Sequence, residues 1–188
     1  VEATMFSDSL VISGCVEDDF IVMLKAGRFA SFQLKRGILC RGGIALGQMY
    51  HKRDILFGKG LIDAYKIEKD VAEYPRIVVQ DEVANRLIER DGKSQINFSA
   101  SAIIKRDKDG CWFLNIFMPP LAHISAANQN ELPQKREDHF LKLRKGIIKG
   151  LEEAMKQDPE GLSILHKHRW LANQFNIALP EELRSKIA

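Results

Sequence analysis

The segment that most constrains this chain is Leu39-Cys40-Arg41-Gly42-Gly43-Ile44-Ala45-Leu46-Gly47, followed by Phe57-Gly58-Lys59-Gly60-Leu61. A strand stripped of side chains at several positions lets another backbone, or a ligand, approach it closely. The amphipathic stretch after Gly60 predicts a helix, and the first amides of such a helix suit a phosphate. The glycines therefore fit two readings, a twisted strand packed under a helix or a strand–turn–helix element facing a phosphate-bearing ligand.

The length of 188 residues fits one domain with an appendage. With 45% apolar residues the chain can bury a core without disulfide or metal staples. A formal net charge of +3 gives no electrostatic case for binding nucleic acid. Lys142, Arg144, Lys145 and Lys149 are interleaved with Glu137, Asp138, Glu152 and Glu153, the pattern of a solvated helix face. Cys15, Cys40 and Cys111 contain no C-x-x-C pair, which disfavours a zinc knuckle or a disulfide framework. A reducing, cytoplasmic setting fits best. No apolar run approaches the ~18–20 residues of a membrane span, so no membrane partner is expected. No secretory leader is visible. Val1–Asp8 already has mid-domain strand character, so native residues are expected ahead of it.

Ala3–Ser13 predicts a strand with a turn at Ser7-Asp8. Asp18–Lys35 predicts a helix with Phe20, Leu24, Phe29 and Phe32 near one face, ended by Gly37. Ile38–Tyr50 is expected as strand, Leu56–Val71 as helix, Pro75–Val79 as strand and Asp81–Arg90 as a helix capped by Asp81. Ile96–Lys105 and Cys111–Phe117 predict a hairpin around Arg106-Asp107-Lys108-Asp109-Gly110. Pro119–Pro133 predicts a loop. Phe140, Leu143, Ile147, Leu151 and Met155 recur at helical spacing. Asp158-Pro159 would start a further helix carrying Leu162, Leu165, Trp170 and Phe175, broken by Pro180. This mixed order predicts an α+β fold.

Asp8 stands between Ser7 and Ser9 in an apolar stretch. A carboxylate there either caps a tight turn or binds a hard cation that it shares with substrate phosphates. Tyr50 and Tyr65 fit buried core and Lys66 fits a surface lysine. His51, His123, His139, His166 and His168 form no recognisable ligand set, and Trp112 and Trp170 are expected in the core.

Taken together, Phe6-Ser7-Asp8-Ser9, Arg41-Gly42-Gly43-Ile44-Ala45-Leu46-Gly47 and Phe57-Gly58-x-x-Leu61-x-x-Ala64-x-x-Ile67-Glu68 resemble class III nucleotidyl cyclases in order and spacing. The resemblance is closest to the Pycsar branch, the pyrimidine cyclases of bacterial anti-phage defence. Ala64-Tyr65, Tyr74-Pro75-Arg76-Ile77-Val78-Val79, the Arg106-Asp107-x-Asp109-Gly110 turn and Arg169-Trp170-Leu171-Ala172 extend it along nearly the whole chain.

The resemblance implies a ferredoxin-like α+β catalytic domain over residues 1–118, a loop over 119–134 and a helical C-terminal extension over 135–188 packed on it. It implies conversion of UTP, or CTP, to the 3′,5′-cyclic monophosphate and pyrophosphate, with two Mg²⁺ or Mn²⁺ ions. Asp8 would be a metal-binding catalytic aspartate, and the first aspartate of the family would lie on a strand ahead of it. Thr4 stands at a base-reading position where adenylate cyclases carry Lys, with Asp54 near the second such position, at which Ile55 aligns without a shift. Arg41, Tyr50, Tyr65 and Lys66 are the other substrate-side candidates. Ile62 and Lys66 occupy the positions of the family's transition-state Asn and Arg. A homodimer is implied, with the cyclic product acting on a separate effector protein. A nucleotide-binding module without turnover, and an adenylate or guanylate cyclase, are the alternatives.

Overall fold

The computed structural model describes residues 1–91, 99–119, 132–157 and 162–187. Glu2–Phe6 (β1) and Ser9–Ser13 (β2) pair antiparallel around Ser7-Asp8, with Phe6 opposite Ser9 and Glu2 opposite Ser13. Ser7 takes φ 56°, a left-handed value that tight hairpins demand. After a 3-10 turn at Val16–Asp18 comes helix α1, Asp19–Leu34.

Helix α1 buries Met23, Ala30 and Leu34, not the expected phenylalanine face. Phe32 is 52% exposed, with the Arg36 guanidinium 4.3 Å from its ring centroid. Two residues beyond Ala30 is about 200° around the helix, so the two side chains leave from opposite sides. Gly37 ends the helix as expected, at φ 86°. Its amide donates to the Leu34 carbonyl at 2.9 Å and that of Ile38 to Gln33 at 3.1 Å, the paired bonds of a Schellman cap.

The single strand expected over residues 38–50 is not formed. Gly42–Ile44 makes β3, and Tyr50–Lys52 makes a separate β4. The expected helix also begins later, because Ile55–Phe57 pairs with β4 as β5 around Arg53-Asp54. Arg53 adopts φ 55°, so this turn uses a backbone conformation that its sequence does not advertise. Helix α2 then spans Lys59–Asp70.

Strand β3 runs parallel to β6, Ile77–Val79, across the α2 crossover that a parallel pair requires. All three residues of β6 are buried, as in a strand covered on both faces. Trp112–Leu114 (β8) and Ile104–Arg106 (β7) complete the sheet in the order β3-β6-β8-β7. Between β6 and β7 lie α3, Asp81–Arg90, and a short α4, Ala100–Ile103, where strand was expected. Ser99 explains α4, since its hydroxyl accepts from the Ser101 amide as an N-cap. The N-cap of α3 is Gln80, not Asp81. Residues 96–98 of the expected hairpin, most of the expected loop and Asp158-Pro159 lie outside the described residues.

Helices α5 (Leu132–Gln157), α6 (Leu162–Ala178) and α7 (Glu181–Ile187) follow, with Pro180 between the last two. Phe140, Leu143, Ile147 and Phe175 are buried, whereas Met155 is exposed. Trp112 and Trp170 are half-buried and not core.

The chain divides into two compact units, Val1–Phe29 with Arg41–Asn115, and Ala30–Cys40 with Ile116–Ala188. Residues 30–40 thus group with the C-terminal helices, a division the sequence did not suggest. Glycines explain it. A Cβ on Gly146 of α5 would lie 1.9 Å from the Leu34 carbonyl oxygen, and one on Gly150 2.8 Å from that of Gly37. The end of α1 therefore lies against α5 backbone to backbone. The architecture is mixed α and β, as expected.

Candidate functional site

The glycine segment is occupied by the protein itself. A Cβ on Gly43 would stand 2.3 Å from the Ala64 carbonyl oxygen and 2.8 Å from Ile67 Cβ. One on Gly47 would stand 2.8 Å from the Gly60 Cα, and one on Gly60 2.9 Å from the Gly47 carbonyl oxygen. These glycines let α2 lie directly on β3 and the segment after it. The Gly60 amide donates to the Gln48 carbonyl at 3.0 Å, so the helix start is not a free phosphate cradle at that residue. Of the two readings of the motif, close packing accounts for Gly43, Gly47 and Gly60, whereas a Cβ on Gly42 would meet nothing nearer than Ile77 at 3.5 Å.

The β1–β2 hairpin presents Asp8 at its tip. The residue is exposed and makes no hydrogen bond or ion pair among the described residues. Further down the hairpin, Thr4 and Ser13 meet His51 of β4. Thr4 Oγ1 lies 2.9 Å from His51 Nε2, and Ser13 Oγ lies 2.7 Å from Nδ1. Thr4 Oγ1 also donates to the Arg53 carbonyl at 2.5 Å. The Thr4 hydroxyl is therefore engaged within the protein. Asp54 follows Arg53 in the exposed β4–β5 turn. Tyr50 is 47% exposed and stacks on Phe57 with ring centroids 5.2 Å apart, so burial in the core does not explain it.

The remaining candidates sit elsewhere. Arg41 Nε donates to Glu68 Oε1 at 2.5 Å, a partly exposed pair joining β3's approach to α2. Tyr65 is 60% exposed on α2, again not core, and Ile62 is 53% exposed. Lys66 rims an open groove of about 470 Å³ with Lys59, Asp81 and Trp112 over a floor that includes Val79. Lys59 is paired with Asp63. Thus Thr4 bonds to the β4–β5 hairpin through His51 and Arg53, while Tyr50 stacks on Phe57 at the other end of that hairpin and Asp54 sits in its turn. Asp8 stands at the tip of the β1–β2 hairpin, Lys66 lines a groove and Arg41 is held by Glu68.

Arg76, just before β6, belongs to the Tyr74-Pro75-Arg76-Ile77-Val78-Val79 segment. It is 2% exposed, with Nη1 2.7 Å from Asp107 Oδ2 and Nη2 bonded to Asp109. Arg76 therefore pins the β7–β8 turn to the start of the central strand. Its hydrogen bond holds the Asp109 carboxyl below the usual carboxylate range. Sequence reasoning missed the role of His51, because its partners are 47 and 38 residues away.

Among the described residues no three His, Cys, Asp or Glu side chains converge on a point that would hold a metal ion. Hard divalent cations take six or more oxygens. Asp8 alone does not make a two-ion site, so the described residues do not fit the expected pair of Mg²⁺ or Mn²⁺ ions. No helix among the described residues is long and apolar enough to cross a membrane. Comparison with family models, with characterised proteins and with solved structures found no match.

Proposed function

We propose that this protein is a pyrimidine nucleotide cyclase acting in anti-phage defence, forming the 3′,5′-cyclic monophosphate of UTP or, as the second choice, CTP. In that reaction the ribose 3′-hydroxyl gives up its proton as its oxygen bonds to its own α-phosphorus, the α–β bridge breaks, and pyrophosphate leaves with the bridging oxygen and the electron pair of the broken bond. The observation that carries the reading is Asp8, exposed at the tip of a tight hairpin within Phe6-Ser7-Asp8-Ser9 and unpaired among the described residues. A carboxylate left free at a turn costs the fold little and is available to a polar ligand. The two Mg²⁺ or Mn²⁺ ions belong to the proposal, and their further carboxylates would have to come from residues other than those described.

A homodimer and a separate effector for the product are part of the same reading. Exposed Met5, Phe6, Ile55 and Phe57 on the two hairpins support an apolar contact with a second copy. The second reading is a cyclase-like module that holds nucleotide without turning it over. Exposed Ile62 favours it, since an apolar side chain cannot hydrogen-bond a ribose or phosphate oxygen.

The test is incubation of the full-length protein with each of the four ribonucleoside triphosphates and Mn²⁺, with mass detection of products. Cyclic UMP or cyclic CMP with pyrophosphate is the expected outcome. A cyclic purine product would overturn the base assignment. Bound nucleotide without pyrophosphate would select the second reading.

A further inference from the structure

Three side chains and one carbonyl form a directed chain across the two hairpins. The Arg53 carbonyl can only accept, so the Thr4 hydroxyl spends its proton there, at 2.5 Å. Thr4 Oγ1 then accepts from His51 Nε2, 2.9 Å away. A neutral imidazole carries one N–H, so Nδ1 accepts from the Ser13 hydroxyl at 2.7 Å. The order is Ser13 O–H to Nδ1, Nε2–H to Thr4 and Thr4 O–H to Arg53.

Each link falls where the backbone needs one. Ser13 of β2 stands opposite Glu2, and Thr4 lies two residues along β1 from Glu2, so both hydroxyls leave one face of the hairpin. Arg53 holds the left-handed φ of 55°, a conformation that persists in a non-glycine residue when its surroundings over-determine it. The bond from Thr4 to its carbonyl is such a restraint. His51 itself is half-buried, at the centre of β4 between the two hydroxyls.

We infer that His51 is a positioning residue. As a neutral imidazole protonated on Nε2, it locks the Asp8 hairpin to the Asp54 hairpin through Thr4 and Ser13. The consequence for turnover rests on the cyclase reading, because the clamp would fix where the Asp8 carboxylate stands relative to the Asp54 turn. The clamp itself does not rest on that reading.

The test has two arms. In the first, ¹⁵N imidazole spectra and amide hydrogen exchange are recorded on the full chain and on His51→Ala. Nε2 protonation is expected for His51. Exchange of amides in β1, β2, β4 and β5 is expected to quicken about tenfold or more when two hydrogen bonds are lost, with α5 to α7 unchanged. Protonation on Nδ1, or unchanged exchange in both hairpins, would overturn the clamp whatever the protein's activity. In the second arm, cyclisation by His51→Ala is compared with His51→Gln, which keeps a donor for Thr4, and His51→Asn, which keeps an acceptor for Ser13. A fall in kcat of about a hundredfold with KM little changed, partly rescued by either amide, is expected for misplacement of a catalytic group by about 1 Å. Equal kcat in all four proteins would overturn the positioning role. Absence of turnover in the unaltered protein would sink the cyclase reading, while the first arm still decides the clamp.

Discussion

Each of the two units contains a place where two backbones touch through glycine, and the two places differ in how visible they are. In the first unit, Gly43, Gly47 and Gly60 sit within one short motif and let α2 rest on β3. In the second, Gly146 and Gly150 of α5 meet the end of α1 at Leu34 and Gly37, far away in sequence. The first cluster invites a functional reading because its glycines are adjacent. The second draws no attention, yet its approach is the closer of the two. A glycine cluster reports close approach by something, and here that something is the chain itself.

Substitution can break the comparison. Gly146→Ala and Gly43→Ala should each cost about 3 kcal/mol or more, because the added methyl meets a carbonyl oxygen that has no rotamer to escape into. Chemical denaturation measures both. A cost below about 1 kcal/mol for Gly43→Ala alone would show that α2 can lift from β3, reopening the phosphate reading of the motif.

The units should also part company in acid. His139 of α5 is 4% exposed and its Nε2 donates to the Phe117 carbonyl at 3.2 Å. Burial, with Lys35 adding repulsion, holds its pKa down at about 4 against an ordinary 6.5. The folded protein keeps this ring neutral where the unfolded chain takes up a proton. Its contribution is complete above about pH 6.5 and is lost as pH falls toward 4, up to about 3 kcal/mol in all. His168 is lowered by burial too and acts in the same direction. The check is stability against pH for the unaltered protein and for His139→Gln, whose acid loss should be smaller. Equal slopes would contradict the burial argument.

In the first unit the comparable buried charge is Arg76, and its two partners are unequal. Asp107 is 9% exposed at its side chain and Asp109 43%. Removing Asp107 should cost about 3 kcal/mol, since it strips a buried guanidinium of a buried partner. Asp109→Ala should cost about 1 kcal/mol, because water can replace a carboxylate already half in solvent. Thermal denaturation of the two variants sharpens the contrast, and a larger loss for Asp109 would reverse the assignment.

Much of this architecture was legible where local signals agree with the final structure. Asp81–Arg90 forms a helix over the expected bounds because its apolar residues fall at helical spacing and reach the core as Val83, Ala84 and Leu87. Gly37 ended α1 as a terminal glycine should. The hairpin at Ser7-Asp8 was visible in its polar interruption. What was hidden depended on distant partners or on unusual backbone. Arg53-Asp54 turns the chain without the Asn-Gly or Asp-Gly signal, so β4 and β5 were merged into neighbouring elements. The His51 bonds and the Gly146 contact join residues that no local pattern links. Of the candidate site, the tip position of Asp8 was legible, whereas the engagement of Thr4 by His51 and Arg53 was not.

The cyclase reading stands on Asp8, and the direct measurement is cyclic pyrimidine monophosphate formation by the full-length protein and by Asp8→Ala, with thermal stability recorded on both. The expected result is product from UTP or CTP that disappears in Asp8→Ala while stability stays within about 0.5 kcal/mol, since the side chain is exposed and has no partner among the described residues. Equal product from both proteins, or loss of the fold in the variant, would contradict it.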